Sequence, residues 1–344
     1  MARGSSGEAY EHYDESDVRT RPNPRGSRPR SKRRPSHEQA SWGTVLLVDR
    51  GRYRVQVAAD DAGPARQVTA MRARELGRRA LVVGDRVGVV GDTSGRTDTL
   101  ARIVTLADRR TTLRRTADDT DPEERVIVAN AERLAVVVAA ADPEPRIGFV
   151  DRAIIAGYDG GLRPLIVVTK TDLAAADAVR ETYSALEIPV LPVRRGGDLG
   201  ALTDLLSGAT TVLIGQSGVG KSTLVNALVP DAERATGSVN VVTGRGRHTS
   251  TSVQAIPLPG GGWIIDTPGV RSFGLAHVDV ARIMHAFRDL EPGTAECPRA
   301  CTHLDEHCAL DDYAASGAAG PGAADRLASL RRVLGALSAA GEPQ

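Results

Sequence analysis

The octapeptide Gly215-Gln216-Ser217-Gly218-Val219-Gly220-Lys221-Ser222 limits what this 344-residue chain can fold into more than any other feature. It follows the apolar run Thr211-Val212-Leu213-Ile214 and leads into Thr223-Leu224-Val225-Asn226-Ala227-Leu228. The pattern G-x-x-x-x-G-K-[ST], set between a strand-like and a helix-like segment, is that of a phosphate-binding loop. Glycines at 215, 218 and 220 let the backbone turn its N–H groups inward around a polyphosphate. The helix that starts there adds the positive end of its dipole. Lys221 is placed to reach the β- and γ-phosphates, and the Ser222 hydroxyl to meet a magnesium ion. Such a loop belongs to a parallel α/β sheet, of which Leu165-Ile166-Val167-Val168 reads as another buried strand, and the apolar run Leu134 to Ala141 is strand-sized.

Two further segments complete a nucleotide site. Asp266-Thr267-Pro268-Gly269 follows the strand-like Trp263-Ile264-Ile265. There the carboxylate is placed to hold the metal through water, and Gly269 lets a backbone N–H approach the γ-phosphate. Upstream, Thr169-Lys170-Thr171-Asp172 closes the strand at Leu165–Val168. A carboxylate at Asp172 accepts two hydrogen bonds from the N1–H and exocyclic amine of guanine, which adenine does not offer. Of the 44 basic residues only three are lysine, and two of these are Lys170 and Lys221. Where arginine has replaced lysine almost everywhere, a retained lysine points to a place that needs a compact ammonium on a flexible stem. The base reader precedes the phosphate loop, the reverse of the usual GTPase order. A parallel sheet tolerates this because strands keep their places while their connections are cut and rejoined. Movement in the Asp266 loop would then pull on the segment that follows it.

That segment carries Cys297-x3-Cys301-x-His303-x4-Cys308, which uses every cysteine in the chain. Three thiolates and an imidazole so close together suit a tetrahedral Cys3His zinc site. His307 is the alternative fourth ligand, with the C-x-H spacing favouring His303. Beyond a glycine-rich linker at 317–322, Leu327, Leu330, Leu334 and Leu337 form a helical apolar stripe beside Arg326, Arg331 and Arg332.

From Trp42 to Leu106 the texture is different. Gly43–Val48, Arg52–Val57, Arg66–Met71, Asp85–Val90 and Leu100–Leu106 read as five short strands, the first two joined by a turn at Asp49-Arg50-Gly51. Five such strands suit an OB-fold barrel. Aromatics are only 3% of the chain, so nucleic-acid contact here would rest on charge and shape, with Arg72, Arg74, Arg78 and Arg79 as candidates. Ahead of the barrel, Arg19 to Arg34 interleave basic residues with proline and no acid. Such a segment buries too little apolar surface to order itself. It reads either as a phosphate-contacting arm or as a solvated tail. No apolar run approaches the length of a membrane span, and the start lacks the apolar core of a signal peptide. A soluble, cytoplasmic chain is expected, and a monomer.

Gly215 to Thr223, Asp266 to Gly269, Thr169 to Asp172 and the cysteine–histidine cluster together resemble the small-ribosomal-subunit-dependent GTPases of the RsgA family. Gly84-Asp85-Arg86-Val87, Val128-Ala129-Asn130 and Gly246-Arg247-His248-Thr249 agree. The resemblance implies a circularly permuted α/β P-loop GTPase domain, an N-terminal all-β OB-fold barrel and a C-terminal, mostly helical zinc-binding domain. The expected division is a disordered basic arm over 1–40, the barrel over 41–107, the GTPase domain over 108–275 and the zinc domain over 276–344. It further implies GTP hydrolysis to GDP and phosphate, late maturation of the small ribosomal subunit, and contact with its rRNA. The expected cofactors are one structural zinc, and magnesium with GTP.

Carried over by position, the first switch holds His248, Thr249 and Thr251. Either threonine is the candidate sensor of the γ-phosphate, and His248 is the candidate for orienting the attacking water or, equally, for touching RNA. Val270 stands where many GTPases keep a glutamine. Thr169 replaces the usual asparagine, with loss of an amide contact expected, and Arg194-Arg195 stand where a Ser-Ala guanine-backing loop is usual. The cysteine spacings are slightly shorter than the family's C-x4-C-x-H-x5-C. Two other functions are compatible with these motifs: an RNA-binding scaffold that uses GTP only as a structural ligand, and a P-loop ATPase acting on nucleic acid.

Overall fold

The structure is a computed structural model that describes residues 37, 39–61, 63–77, 80–116, 124–186, 188–230, 253–267, 278, 283–284, 287–320 and 322–341. The arm before His37, Arg78, Arg79, His248, Thr249, Thr251, Gly269, Val270 and the Leu337 side chain lie outside the described residues.

The first five strands are β1 (Ser41–Asp49), β2 (Arg52–Val57), β3 (Arg66–Arg72), β4 (Arg86–Gly91) and β5 (Ala101–Leu106). Their pairing runs β1-β2-β3-β5-β4, and β4 pairs back onto β1, which closes a five-stranded barrel. Period-two alternation directs its filling: in β2, Tyr53, Val55 and Val57 are buried while Arg52, Arg54 and Gln56 lie more exposed. Val45, Val68, Val87, Val89 and Ile103 fill the rest of the interior.

A hairpin of β6 (Thr112–Arg115) and β7 (Arg125–Ala129) leads out of the barrel. Two motifs far apart in sequence meet here. A Cβ on Gly84 would lie 1.9 Å from the Ala129 carbonyl oxygen, so only glycine allows the approach. The Asn130 side-chain amide donates to the Gly84 carbonyl at 2.9 Å. Beside them the fully buried Asp85 accepts from Arg109 at 2.7 and 2.9 Å. The barrel is therefore seated on the strands that follow it by backbone contact and a forked ion pair.

The second half of the sheet contains β8 (Arg133–Ala139), β9 (Arg163–Thr169), β10 (Val190–Pro192), β11 (Thr210–Ile214), β12 (Gln254–Pro257) and β13 (Trp263–Asp266). Their order is β10-β9-β8-β11-β13-β12, parallel except for β12. Alternate residues of β8 serve two cores. Leu134, Val136 and Val138 face one, with α1 (Ile147–Asp159) and α2 (Asp177–Tyr183); Ala135, Val137 and Ala139 face the other, with α3 (Gly200–Leu206) and α4 (Lys221–Leu228). A single pairing of Leu47 with Gln254 joins β1 to β12, so barrel and parallel strands share one sheet.

The chain ends in α5 (Leu310–Ala315) and α6 (Ala323–Gly341). Leu327, Leu330, Val333 and Leu334 of α6 are buried in the α1-side core, which matches the helical stripe. In the glycine-rich stretch before α6, Gly317, Gly320 and Gly322 have positive φ and Ala319 is buried. Among the described residues no helix is long and apolar enough to cross a membrane.

Candidate nucleotide site and metal centre

Parallel strands place their carboxyl ends along one edge, where α/β folds bind ligands. The registers pair Ala139 with Thr169, Val136 with Ile214 and Leu213 with Asp266. The base-reading segment, the phosphate loop and the acidic loop therefore open on the same edge, although the first precedes the second in sequence.

The phosphate loop is built as its spacing requires. A Cβ on Gly215 would come within 2.3 Å of the Val137 carbonyl oxygen. Gly218 and Gly220 have φ of 81° and 94°, where side chains are strained. Val219 is buried and anchors the loop, while Ser217, Gly218, Ser222 and Thr223 are exposed and Gln216 half-buried. Lys221 and Ser222 open α4, and the Lys221 ammonium donates to the carbonyls of Gly215 and Gln216. Burial lowers the Lys221 pKa below that of an ordinary lysine, and the nearby Asp266 carboxylate opposes the shift. An ammonium held over the loop by partial burial is suited to meet phosphate charge. Asp266 is itself buried, and Thr267 behind it donates to the Leu213 carbonyl at 2.7 Å. The Ser222 hydroxyl and the Asp266 carboxylate are hard oxygen donors, the chemistry magnesium requires.

At the base reader, Thr169 is buried and its hydroxyl lies 2.5 Å from the Val219 carbonyl and 3.1 Å from that of Val138. In place of the amide that asparagine would carry, the Thr169 hydroxyl makes a contact with the phosphate loop. Lys170 adopts positive φ and its ammonium donates to the Asp142 carbonyl. Asp142 is a residue that the motifs did not mark, although it lies just past the end of β8. The Thr171 N–H reaches the Val193 carbonyl at 3.4 Å, which sets the Arg194-Arg195 loop beside the exposed Asp172.

The metal candidates converge. One ligand atom from each of Cys297, Cys301, His303 and Cys308 lies within 4.8 Å of the others. His303, not His307, completes the set. Cys297 Sγ is 3.8 Å from Cys308 Sγ, and His303 Nδ1 is 3.7 Å from both sulfurs. A tetrahedron with bonds of about 2.3 Å has edges of about 3.8 Å, so the three spacings among Cys297, His303 and Cys308 fit a zinc-sized ion. Burial raises the Cys297 and Cys301 thiols above the usual range and lowers the His303 imidazole below it. A cation in their midst is what would hold such crowded sulfurs as thiolates. The loop is braced by Asp305, which accepts from the Thr302 N–H at 2.8 Å and hydroxyl at 2.9 Å.

Comparison with known proteins agrees with this geometry. Residues 106–276 match the family described as RsgA GTPase. A small ribosomal subunit biogenesis GTPase RsgA from Azotobacter vinelandii is 37% identical over 303 residues, covering 85% of each chain. Its counterpart from Pseudomonas aeruginosa is 37% identical over 271 residues, 75% of this chain and 76% of the relative. Among solved structures, YjeQ from Thermotoga maritima superposes with a TM-score of 0.59 at 21% identity, covering 87% of this chain and 98% of that one. YloQ, described as a circularly permuted GTPase, gives 0.60 at 21% identity, covering 91% and 99%. The barrel, the reversed order of base reader and phosphate loop, and the helical C-terminus are thus a shared architecture. With more than a third of its residues identical to such a relative over most of both lengths, the chain belongs to the RsgA family of GTPases.

Proposed function

We propose that this protein binds the small ribosomal subunit, hydrolyses GTP to GDP and phosphate there, and acts in late maturation of that subunit. The observation that carries the reading is the contact between Thr169 and the Val219 carbonyl, which ties the base reader to the phosphate loop across the sheet edge. Relatives named as small ribosomal subunit biogenesis GTPases support the cellular role.

In this reading Asp172 accepts from the N1–H and amine of guanine, and Lys170 flanks the base. The backbone of Gly215 to Gly220 and the Lys221 ammonium hold the β- and γ-phosphates, with Ser222 and Thr223 at the start of α4. Water attacks the γ-phosphate in line, and Lys221 stabilises the charge that develops. His248 orients that water or contacts RNA, Thr249 or Thr251 senses the γ-phosphate, and the Gly269 N–H approaches it. Ser222 and Asp266 would hold magnesium, which when bound neutralises phosphate charge. Cys297, Cys301, His303 and Cys308 would hold one structural zinc. We assign the barrel to 41–107, the GTPase domain to 108–275 and the zinc domain to 276–344. The barrel, the zinc domain and the basic arm position the protein on rRNA by phosphate contacts. The protein acts as a cytoplasmic monomer.

GTP turnover measured with and without purified small subunits tests the reading. Slow basal hydrolysis that rises strongly with subunits is expected. Equal turnover in both would overturn the role on the ribosome, and ATP competing equally with GTP would overturn the base assignment.

A further inference from the structure

Arg331 and Arg332 are adjacent on α6, and neighbouring helix positions point to different sides. Arg331 turns to the metal loop. Its Nε donates to the His303 carbonyl at 3.1 Å, and its two terminal nitrogens form a forked pair with Asp311 at 2.7 and 2.6 Å. Arg332 turns to the nucleotide domain. Its Nη1 donates to the Thr182 carbonyl at 3.1 Å, its Nε lies 3.4 Å from Asp151 Oδ2, and its guanidinium sits 5.0 Å over the Tyr183 ring. The Tyr183 hydroxyl donates to the other Asp151 oxygen at 2.9 Å. Tyr183 and Asp151 are both buried.

These partners belong to the base-reading half of the site. Asp151 is on α1, which joins β8 to β9, and Thr182 and Tyr183 end α2, the helix after Thr169–Asp172. Arg332 Nε and Nη2 are buried and make no hydrogen bond among the described residues. The cation therefore depends on the Asp151 charge and the Tyr183 face, and it is costly to displace from them.

We propose that Arg331 and Arg332 couple metal binding in the Cys297–Cys308 loop to guanine-nucleotide affinity, with Arg332 as the positioning residue on the nucleotide side. With a metal bound, Cys297, Cys301, His303 and Cys308 would be tied to one another, and the His303 carbonyl would be fixed with them. That carbonyl holds Arg331, which sets the rotation of α6 and keeps Arg332 against α1 and α2. Loss of the metal loosens the first grip and, through the helix, the second. The inference rests on the nucleotide reading above.

The test is titration of the full chain with a fluorescent GDP analogue, metal-loaded and after chelation. Thiolate absorption of the cobalt-substituted protein reports metal retention. In the wild type, chelation is expected to weaken nucleotide binding by about 5–10-fold, within the usual range of coupling between sites. Arg332→Met is expected to keep the cobalt signal, to bind nucleotide as weakly as the chelated wild type, and to be insensitive to chelation. Should that variant fail to fold, Asp151→Asn combined with Tyr183→Phe removes the same contacts from the other side and should abolish the response equally. A purely structural role would lower the melting temperature of either variant yet leave its response to chelation intact. An equal response in variant and wild type, or none in the wild type, overturns the coupling. Failure of the metal-loaded wild type to bind the analogue overturns the nucleotide reading itself.

Discussion

The metal centre and the nucleotide site are built in opposite ways. The first takes its ligands from one short loop, Cys297 to Cys308, most of it outside helix and strand. The second takes its groups from the ends of β9, β11 and β13, spread from Thr169 to Asp266 and held in register by parallel pairing. A loop with so little regular structure would draw its folding energy from an ion held by those four ligands. A sheet buried on both faces is folded before any ligand arrives. Removing one key residue should therefore cost fold in the first case and chemistry in the second.

The largest effect is expected at Cys308, the buried sulfur that faces both the cluster and the α1-side core. Cys308→Ser should abolish metal retention and loosen the 297–308 loop, since a structural zinc there would supply apparent energies of about 10–16 kcal/mol. Cobalt–thiolate absorption and protease sensitivity beyond residue 287 read this out. A variant that keeps its cobalt spectrum breaks the contrast.

Lys221→Ala probes the other side. Metal content and melting temperature should match the wild type, while GTP turnover falls on the order of 10²–10³-fold, the effect of losing one preorganised donor to transition-state charge. If the variant also loses metal or cooperative unfolding, the nucleotide site is not an independent scaffold.

Thr169 sharpens the comparison within the nucleotide site. Thr169→Val takes the hydroxyl donor away from the buried Val219 carbonyl, at about 1–3 kcal/mol, so nucleotide affinity should fall roughly tenfold. Thr169→Asn, which carries its own donor, should recover most of the loss. Equal titration curves for Val and Thr would mean that this contact does not align the two loops.

These contrasts also explain what can be read from sequence. Gly215–Ser222 and the cysteine–histidine loop announce themselves because their groups are near neighbours in the chain, so spacing alone encodes geometry. Thr169 reads as a loss because its partner, Val219, is fifty positions away. The hairpin of β6 and β7 and the four-residue β12 are pairings, and a single sequence displays strands more readily than their partners. Gly84 and Asn130 are visible as separate motifs, but their contact is not. Arg331 and Arg332 read as the polar flank of an apolar stripe, because nothing local distinguishes a solvated arginine from one that reaches Thr182.

The smallest expected effect lies at the contact that joins the two regions. Burial holds the Asp151 carboxyl above its ordinary value of 3.8, with Arg332 and Tyr183 opposing that rise. Between 3.8 and the native value, the folded protein binds this proton more readily than the unfolded chain. Its stabilising contribution is therefore complete below 3.8 and is lost as pH rises through the native value. Asp151→Asn has no such proton. The wild-type-minus-variant difference in unfolding free energy should thus decline with rising pH across that window and flatten above it, with a slope of at most about 1.4 kcal/mol per pH unit. Urea denaturation of both proteins at matched pH and metal content measures it, and acid release of the metal cancels in the difference. A difference that instead grows with pH would mean that Arg332 outweighs burial at Asp151. The joint would then be a stabilising ion pair in its own right, in place of a buried charge that selects one docking of α6.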